Sequence, residues 1–255
     1  MMFIDTHVHL NHPDLYQHLD DYINKAKEAQ VNHMLVIGFN DETNARAIEI
    51  AQRYSFIKAA IGFHPSDAHQ IKQEAFRELE TLLKQDEVVA IGECGLDFYR
   101  DKSHMDQQIA VFERQIALAK IYDLPLVIHM REASQATYAI LAKHAPLKGV
   151  MHCYSGSVEM VERFLALGLH IALGGPVTFK NAKTPKEVAK FLPLDKLLLE
   201  TDAPYLAPHP YRGKQNDSSY LPLIAQAIAD LKGIPLETIG KKTTQNAQAL
   251  FKFNP

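Results

Sequence analysis

Short apolar runs alternate with longer amphipathic segments along the whole chain, and this alternation constrains the fold more than any other feature. The runs are rich in β-branched residues and mostly lack polar alternation, as expected for strands covered on both faces. The amphipathic segments include Leu15–Gln30 and Gln107–Tyr122. The candidate strands are Phe3–Leu10, His33–Phe39, Ile57–Phe63, Val88–Glu93, Leu126–His129, Gly149–His152, His170–Gly174 and Lys196–Thr201.

Eight strands alternating with helices predict an α/β protein with a parallel sheet and right-handed crossovers. In a chain of 255 residues, closure into a single (β/α)8 TIM barrel is the economical arrangement. We predict one domain over residues 1–255, because no Gly/Ser-rich linker or charge block interrupts the chain. A doubly wound open sheet is the alternative, but no Gly-x-Gly-x-x-Gly follows the first strand.

Composition excludes several classes of protein. The net charge is −3, so the molecule as a whole is not the basic body expected of a protein held to nucleic acid by counterion release. No apolar run approaches the ~20 residues that a membrane span needs, and no basic segment precedes an apolar one at the N-terminus. We therefore expect a cytoplasmic protein without a membrane partner, and small barrels of this kind can be monomers.

The stretch "DTHVH" near the N-terminus points to metal chemistry. If the first apolar run is a strand, the side-chain period of two places Asp5, His7 and His9 on one face. In a TIM barrel the carboxyl ends of all strands meet at one rim. The other polar residues at candidate strand ends are His64, Glu93, His129, His152 and Asp202.

Buried imidazoles beside carboxylates suit divalent cations, which neutralise and orient such a mixture of ligands. Six donors are too many for one tetrahedral site, so we predict two metal ions, of magnesium, manganese or zinc, with Glu93 bridging them. The other predicted ligands are His7, His9 and Asp202 for one ion and His129 and His152 for the second. Paired metals activate water for attack on a phosphoryl or carbonyl group, which is hydrolytic chemistry.

Several motifs resemble the TatD family of metal-dependent deoxyribonucleases, among the amidohydrolase-like metal barrels. The resemblance extends from "FIDTHVHL" to "LETDAPYL" and the loop beyond, and includes "GFHP", "GECGLDFYR", "IHMRE", "HCYSGS" and "GGPVTFKNA". It implies a TIM barrel, a two-metal site on the same six residues and hydrolysis of DNA. The loop after the eighth strand departs from the family's R-G-K-x-N-E-P pattern, because Asp217 and Ser218 replace the glutamate and the proline.

Acid-base and substrate-binding residues can also be proposed from the strand ends. We expect Asp202 to orient the attacking water or accept its proton. Glu200, two residues earlier, would position a ligand or shuttle a proton, unless it is a buried carboxylate bonded to the barrel floor. We expect His64 to donate to a phosphate oxygen, unless it only packs in the third loop.

Residues of the loops after the strands are candidates for binding the substrate. Cations there would attract phosphate locally even though the whole molecule is acidic. The candidate cations are Arg131, Lys180, Arg212 and Lys214. The aromatic residues that would stack bases are Phe98, Tyr99, Tyr154, Phe179 and Tyr205.

These features favour a metal-dependent deoxyribonuclease that cleaves DNA from single-stranded ends. The alternative is an amide or ester hydrolase on the same scaffold, such as an aminoacyl-tRNA deacylase or a small-molecule amidohydrolase, because the metals serve a carbonyl group equally well. A third reading is a non-catalytic protein with a structural zinc site. Six candidate ligands argue against it, since a closed structural site needs only four.

Overall fold

The structure, a computed structural model, describes residues 2–100 and 102–253. Its described residues contain eight parallel strands that hydrogen-bond to their neighbours in chain order. The strands are β1 (Phe3–Val8), β2 (Val31–Ile37), β3 (Ile57–Ile61), β4 (Val88–Asp97), β5 (Leu126–Arg131), β6 (Gly149–Met151), β7 (His170–Leu173) and β8 (Leu197–Leu199). The predicted α/β barrel is confirmed.

The chain just after β8 brings the sheet nearly to closure. Val8 pairs with Ala203 in a parallel bridge, and the His9 amide donates to the Ala203 carbonyl at 2.8 Å. The Asp202 amide donates to the His7 carbonyl at 2.9 Å. These main-chain bonds set His7, His9 and Asp202 beside one another.

Strand β4 is longer than the sequence indicates. We predicted that it ends at Glu93, but it continues to Asp97 because residues 94–97 pair with β5 as far as Arg131. A register shift separates the Ile91 pair from the Cys94 pair. Glu93 therefore lies inside the strand, and a second carboxylate follows it toward the rim.

Helices surround the barrel. The predicted segment Leu15–Gln30 is two helices instead of one, because His18 adopts a non-helical conformation with φ −127° and ψ 35°. The described helices are α1 (Pro13–Tyr16), α2 (Leu19–Glu28), α3 (Asp41–Arg53), α4 (Gln73–Leu82), α5 (Met105–Tyr122), α6 (Ser134–His144), α7 (Val158–Ala166), α8 (Lys183–Phe191), α9 (Leu221–Lys232) and α10 (Leu236–Phe251). None of the helices in the described part of the chain is long and apolar enough to span a membrane.

Two apolar clusters leave one end of the barrel available for a site. The larger lies between the strands and the surrounding helices. The smaller contains strand residues such as Ile4 and Leu35 together with Phe251 and Phe253 from the C-terminal segment. The polar residues predicted for the rim lie toward the carboxyl ends of the strands.

Candidate metal centre

His7, His9 and Asp202 form the first donor group. The Nε2 atoms of the two histidines lie 3.2 Å apart. Asp202 Oδ1 lies 3.6 Å from His7 Nε2 and 3.4 Å from His9 Nε2. Glu93 Oε2 faces the same two nitrogens at 3.7 and 3.8 Å. The Nε2 atoms of His7 and His9 thus both face one oxygen of Asp202 and one oxygen of Glu93.

His129 and His152 form the second donor group, on the other side of Glu93. His129 Nδ1 lies 2.9 Å from Glu93 Oε1, and His152 Nε2 lies 3.0 Å from the same oxygen. The two histidine nitrogens are 3.4 Å apart. Glu93 therefore presents one carboxylate oxygen to each group, as the sequence analysis predicted for a bridging ligand.

The donor spacings and the burial suit bound cations. Ligands around a tetrahedral zinc ion at about 2.1 Å lie roughly 3.4 Å from one another. The first donor group and Glu93 match this, with spacings from 3.2 to 3.8 Å. His7 is fully buried and Glu93 is 5% exposed, so their polar atoms need a partner inside the protein. Among the described residues, three overlapping sets are arranged so that they could hold a cation: His7, His9 and Asp202; His7, Glu93 and His152; and His64, Glu93 and His129.

Electrostatics hold Glu93 and His7 in the protonation states that metal ligands require, whereas nearby carboxylates raise the pKa of His9, His129 and His152 against the effect of burial. Burial acts to raise the pKa of Glu93, but His152 and His64 and the hydrogen bond from His129 hold it well below its usual range. Burial holds the pKa of His7 well below its usual value. An ionised carboxylate and a neutral imidazole are the forms that coordinate a cation.

Hydrogen-bond partners stand behind the rings of His9 and His129, and a carboxylate lies behind His152 without a hydrogen bond to its Nδ1. His9 Nδ1 lies 3.1 Å from the Ile37 carbonyl, and His129 Nε2 lies 3.2 Å from Asp97 Oδ2. His152 Nδ1 lies 3.4 Å from Glu200 Oε1. Glu200 is fully buried and also accepts a hydrogen bond from the Cys153 amide at 2.6 Å. A carboxylate behind a histidine fixes the ring and makes it a stronger ligand.

Asp97 is the residue that the sequence analysis missed. It lies four residues beyond Glu93, and the strand had been predicted to end before it. Burial acts to raise its pKa, but the hydrogen bonds from His129 and from the Arg100 amide, together with the charges of His129 and His64, lower the pKa to about 2. Its position in the motif "GECGLDFYR" could have identified Asp97 as a candidate site residue. The sequence does not show, however, which histidine its carboxylate faces.

Asp5 does not join the two histidines that follow it. A register irregularity between Asp5 and Val8 interrupts the period of two, so the prediction that it shares their face was wrong. Asp5 instead accepts hydrogen bonds from the Thr201 hydroxyl at 2.6 Å and from the Ser218 hydroxyl at 2.7 Å. Ser218, which departs from the family pattern, thereby fixes the loop after β8 to β1.

His64 lies beside Glu93 at the end of the third strand. Its Nδ1 accepts a hydrogen bond from the Ser66 amide at 3.1 Å, so a neutral ring carries its proton on Nε2. Nε2 lies 3.6 Å from Glu93 Oε1. Burial lowers the pKa of His64 to about 3, which keeps the ring neutral. His64 could ligate a cation through Nε2, beside Glu93 and His129, only in the tautomer that carries its proton on Nδ1 and so gives up the hydrogen bond from Ser66.

A cavity of about 690 Å³ lies over the two donor groups. Arg131, predicted to bind substrate, lines it, and so does Arg100, which the sequence analysis did not single out. Among the described residues, the lining does not include the other predicted cations, Lys180, Arg212 and Lys214. All three are exposed, and the Arg212 guanidinium packs 4.5 Å from the centre of the Phe179 ring.

The predicted stacking residues differ in exposure. Tyr99 is 59% exposed and Tyr205 is 48% exposed, so both offer ring faces near the cavity. Tyr154 borders the cavity but is buried, and its hydroxyl donates to the Ser157 carbonyl at 2.8 Å. A buried ring cannot receive a base, so the prediction for Tyr154 was wrong. Phe98 and Phe179 are partly buried.

Comparison with known proteins assigns the family. Residues 4–252 match the sequence model described as TatD related DNase. A metal-dependent hydrolase of Bacillus subtilis (strain 168), YabD, is 46% identical over 255 residues, which cover 99% of this chain and 100% of the relative. The protein named 3'-5' ssDNA/RNA exonuclease TatD from Erwinia billingiae is 36% identical, with 98% of each chain covered.

The fold comparison gives the same result. The crystal structure of YjjV, a TatD homolog from Escherichia coli K12, is 32% identical and has a TM-score of 0.95, covering 99% of this chain and 98% of that chain. A hydrolase of the TatD family from Entamoeba histolytica, at 24% identity and a TM-score of 0.90, shares the fold. The chain belongs to the TatD family of metal-dependent hydrolases.

Proposed function

We propose that this protein is a deoxyribonuclease that uses two divalent metal ions, magnesium, manganese or zinc, to hydrolyse phosphodiester bonds of DNA from single-stranded ends. One observation carries the proposal. Glu93 offers one oxygen to each of two donor groups beneath a cavity that arginines line. A carboxylate shared in this way is typical of sites that clamp a phosphoryl group between two cations.

Bound at this centre, the metal ions would lower the pKa of water and stabilise the charge that develops on the attacked group. Asp202 belongs to the first donor group and borders the cavity, so it is placed to orient the water or accept its proton. His64 also borders the cavity and, with its proton on Nε2, donates to a phosphate oxygen. Glu200 acts from behind the site by positioning His152.

The relatives' names and the aromatic residues support a single strand as the substrate. Relatives from Erwinia billingiae and Edwardsiella piscicida are named 3'-5' ssDNA/RNA exonuclease TatD, at 36% and 35% identity. The exposed rings of Tyr99 and Tyr205 offer stacking surfaces that paired bases in a duplex would not use. RNA therefore belongs among the substrates to be tested.

The test is cleavage of an end-labelled single-stranded oligodeoxynucleotide by metal-stripped protein, with magnesium, manganese or zinc added back. We expect cleavage that requires metal, yields a ladder from one end and disappears in Glu93→Gln. Asp123→Asn is the matched control, because Asp123 is an exposed carboxylate that pairs with Lys148 away from the centre. Intact DNA under all three ions would contradict the proposal.

A carbonyl ester or amide is the second candidate substrate, and the apolar part of the cavity favours it. Phe39, Met130, Leu173 and Val177 line the cavity together with the polar residues. Such a surface suits a small apolar group next to a hydrolysed carbonyl. Aminoacyl-tRNA and small amides form the second arm of the same assay. Turnover of these substrates without cleavage of DNA would favour this candidate.

A further inference from the structure

Two arginines occupy the same side of the cavity, next to the second donor group. Arg131 follows His129 by two residues on β5, and Arg100 lies on the turn that follows β4. Both line the cavity. The turn is attached to β5, because the Phe98 amide donates to the Arg131 carbonyl at 2.9 Å.

Asp97 holds this turn in place. One of its carboxylate oxygens, Oδ1, accepts hydrogen bonds from the Tyr99 amide at 3.0 Å and from the Arg100 amide at 2.8 Å. The other oxygen lies 3.2 Å from His129 Nε2. One buried carboxylate thus fixes both a candidate metal ligand and the backbone that carries Arg100.

The charges of the two arginines are largely available to a ligand. The Arg100 side chain is 61% exposed, and its nearest carboxylate among the described residues is Asp97, at 3.7 Å from Nε. No carboxylate of the described residues lies within 4.0 Å of the Arg131 guanidinium, which stacks on Tyr99 at 3.9 Å from the ring centre.

We propose that Arg100 and Arg131 form a subsite for a second phosphate of the substrate, next to the phosphodiester that is hydrolysed at the metal centre. The inference rests on the proposed function and restricts the substrate class to strands that carry more than one phosphate. Guanidinium groups bind phosphate oxygens through paired hydrogen bonds, and stacking on Tyr99 holds one of them in place. The preferred substrate is then a strand with consecutive phosphates rather than a simple phosphodiester or a neutral amide.

The test compares dithymidine ligands that differ by one phosphate. TpT has only the internal phosphodiester, whereas pTpT and TpTp add a phosphate at one end or the other. Dissociation constants are measured by calorimetry with the metal-loaded protein, and hydrolysis is followed separately by chromatography. We expect one of the two phosphorylated ligands to bind about tenfold more tightly than TpT, as for a hydrogen bond to a charged group.

Arginine variants test whether this gain in affinity comes from the proposed subsite. In Arg100→Gln and in Arg131→Gln the gain from the added phosphate disappears, so that TpT and its phosphorylated forms bind alike, and Arg131→Lys retains part of the gain. Arg163→Gln is the matched control, since the Arg163 guanidinium also stacks on a tyrosine, 5.1 Å from the ring centre of the partly buried Tyr138, and does not line the cavity. We expect this control to bind all three ligands as the unmodified protein does.

The outcomes separate the subsite from the proposed function. Equal binding of the three ligands overturns the subsite, and so does an equal loss for all three in the arginine variants, which would indicate a structural role. Hydrolysis of TpT without a phosphate preference leaves the nuclease proposal standing and rejects the subsite. A phosphate preference without hydrolysis of any dithymidine ligand supports the subsite, and the nuclease proposal is then rejected only if the end-labelled oligodeoxynucleotide also stays intact.

Discussion

The two donor groups lie on opposite sides of Glu93 and are supported in different ways. The first group depends mainly on the backbone: Asp202 donates its amide to the His7 carbonyl, and His9 Nδ1 faces the Ile37 carbonyl. The second group depends on single side chains, since Asp97 stands behind His129 and Glu200 stands behind His152. Barrel closure therefore fixes the first group, whereas two individual carboxylates tune the second.

The two groups differ in their wider surroundings, although Asp97 and Glu200 are as fully buried as Asp5. Behind the first group, Asp5 joins Thr201 and Ser218 through side-chain hydrogen bonds, and all three residues are at most 2% exposed. Beside the second group, the His129 side chain is 16% exposed and the adjoining turn carries the exposed Tyr99. We infer that an ion in the second group is held more weakly and responds more strongly to substitution of a neighbouring residue.

The largest effect on metal binding and on cleavage is expected at Glu93, which the two donor groups share. Glu93→Gln removes the negative charge that both share, so affinity for both ions should fall and cleavage should decrease by at least about a thousandfold. Metal content after dialysis and the initial rate of cleavage measure the two consequences. Normal binding of both ions by the variant would contradict the shared role of Glu93.

An intermediate effect is expected from a change that acts on the second group alone. Asp97→Asn weakens the support of His129, so the affinity for one ion should fall by about 10- to 100-fold while the other is unchanged. Titration of metal-stripped protein against a coloured chelator resolves the two affinities, with Asp123→Asn as the control. Equal weakening of both ions would remove the distinction between the groups.

The smallest effect on metal binding is expected behind the first group. Ser218→Ala leaves a buried oxygen of Asp5 without one of its donors and should lower the free energy of unfolding by about 1–3 kcal/mol. Urea unfolding of metal-stripped protein measures this loss. Ser219→Ala, which removes a partly exposed hydroxyl next to Asp217, should cost less. A loss of metal affinity in Ser218→Ala would show that this network also shapes the first group.

The sequence predicts the positions of the strands well because each apolar run directly reflects the burial of its own side chains. All eight candidate strands overlap observed ones, but their ends depend on pairing with the neighbouring strand, which is not local information. Strand β4 shows the difference, since its pairing with β5 extends it to Asp97. The break between α1 and α2 at His18 likewise lacks a proline or glycine signal.

The candidate metal ligands were easier to predict than the residues that contact those ligands from behind. Strand position brings His7, His9 and Asp202 together, as expected, because the carboxyl ends of parallel strands share one rim. Which carboxylate faces which histidine depends on side-chain directions, so Asp97 was missed. The misplacement of Asp5 has a related cause, because a register irregularity in β1 cannot be read from a period of two.

The most direct test of the two-metal centre is electron paramagnetic resonance of metal-stripped protein titrated with manganese. Two Mn²⁺ ions that share Glu93 should give an exchange-coupled spectrum at two ions per chain, and Glu93→Gln should lose that coupling. A single isolated Mn²⁺ signal that saturates at one ion per chain, or two uncoupled ions, would contradict a centre built on a shared carboxylate.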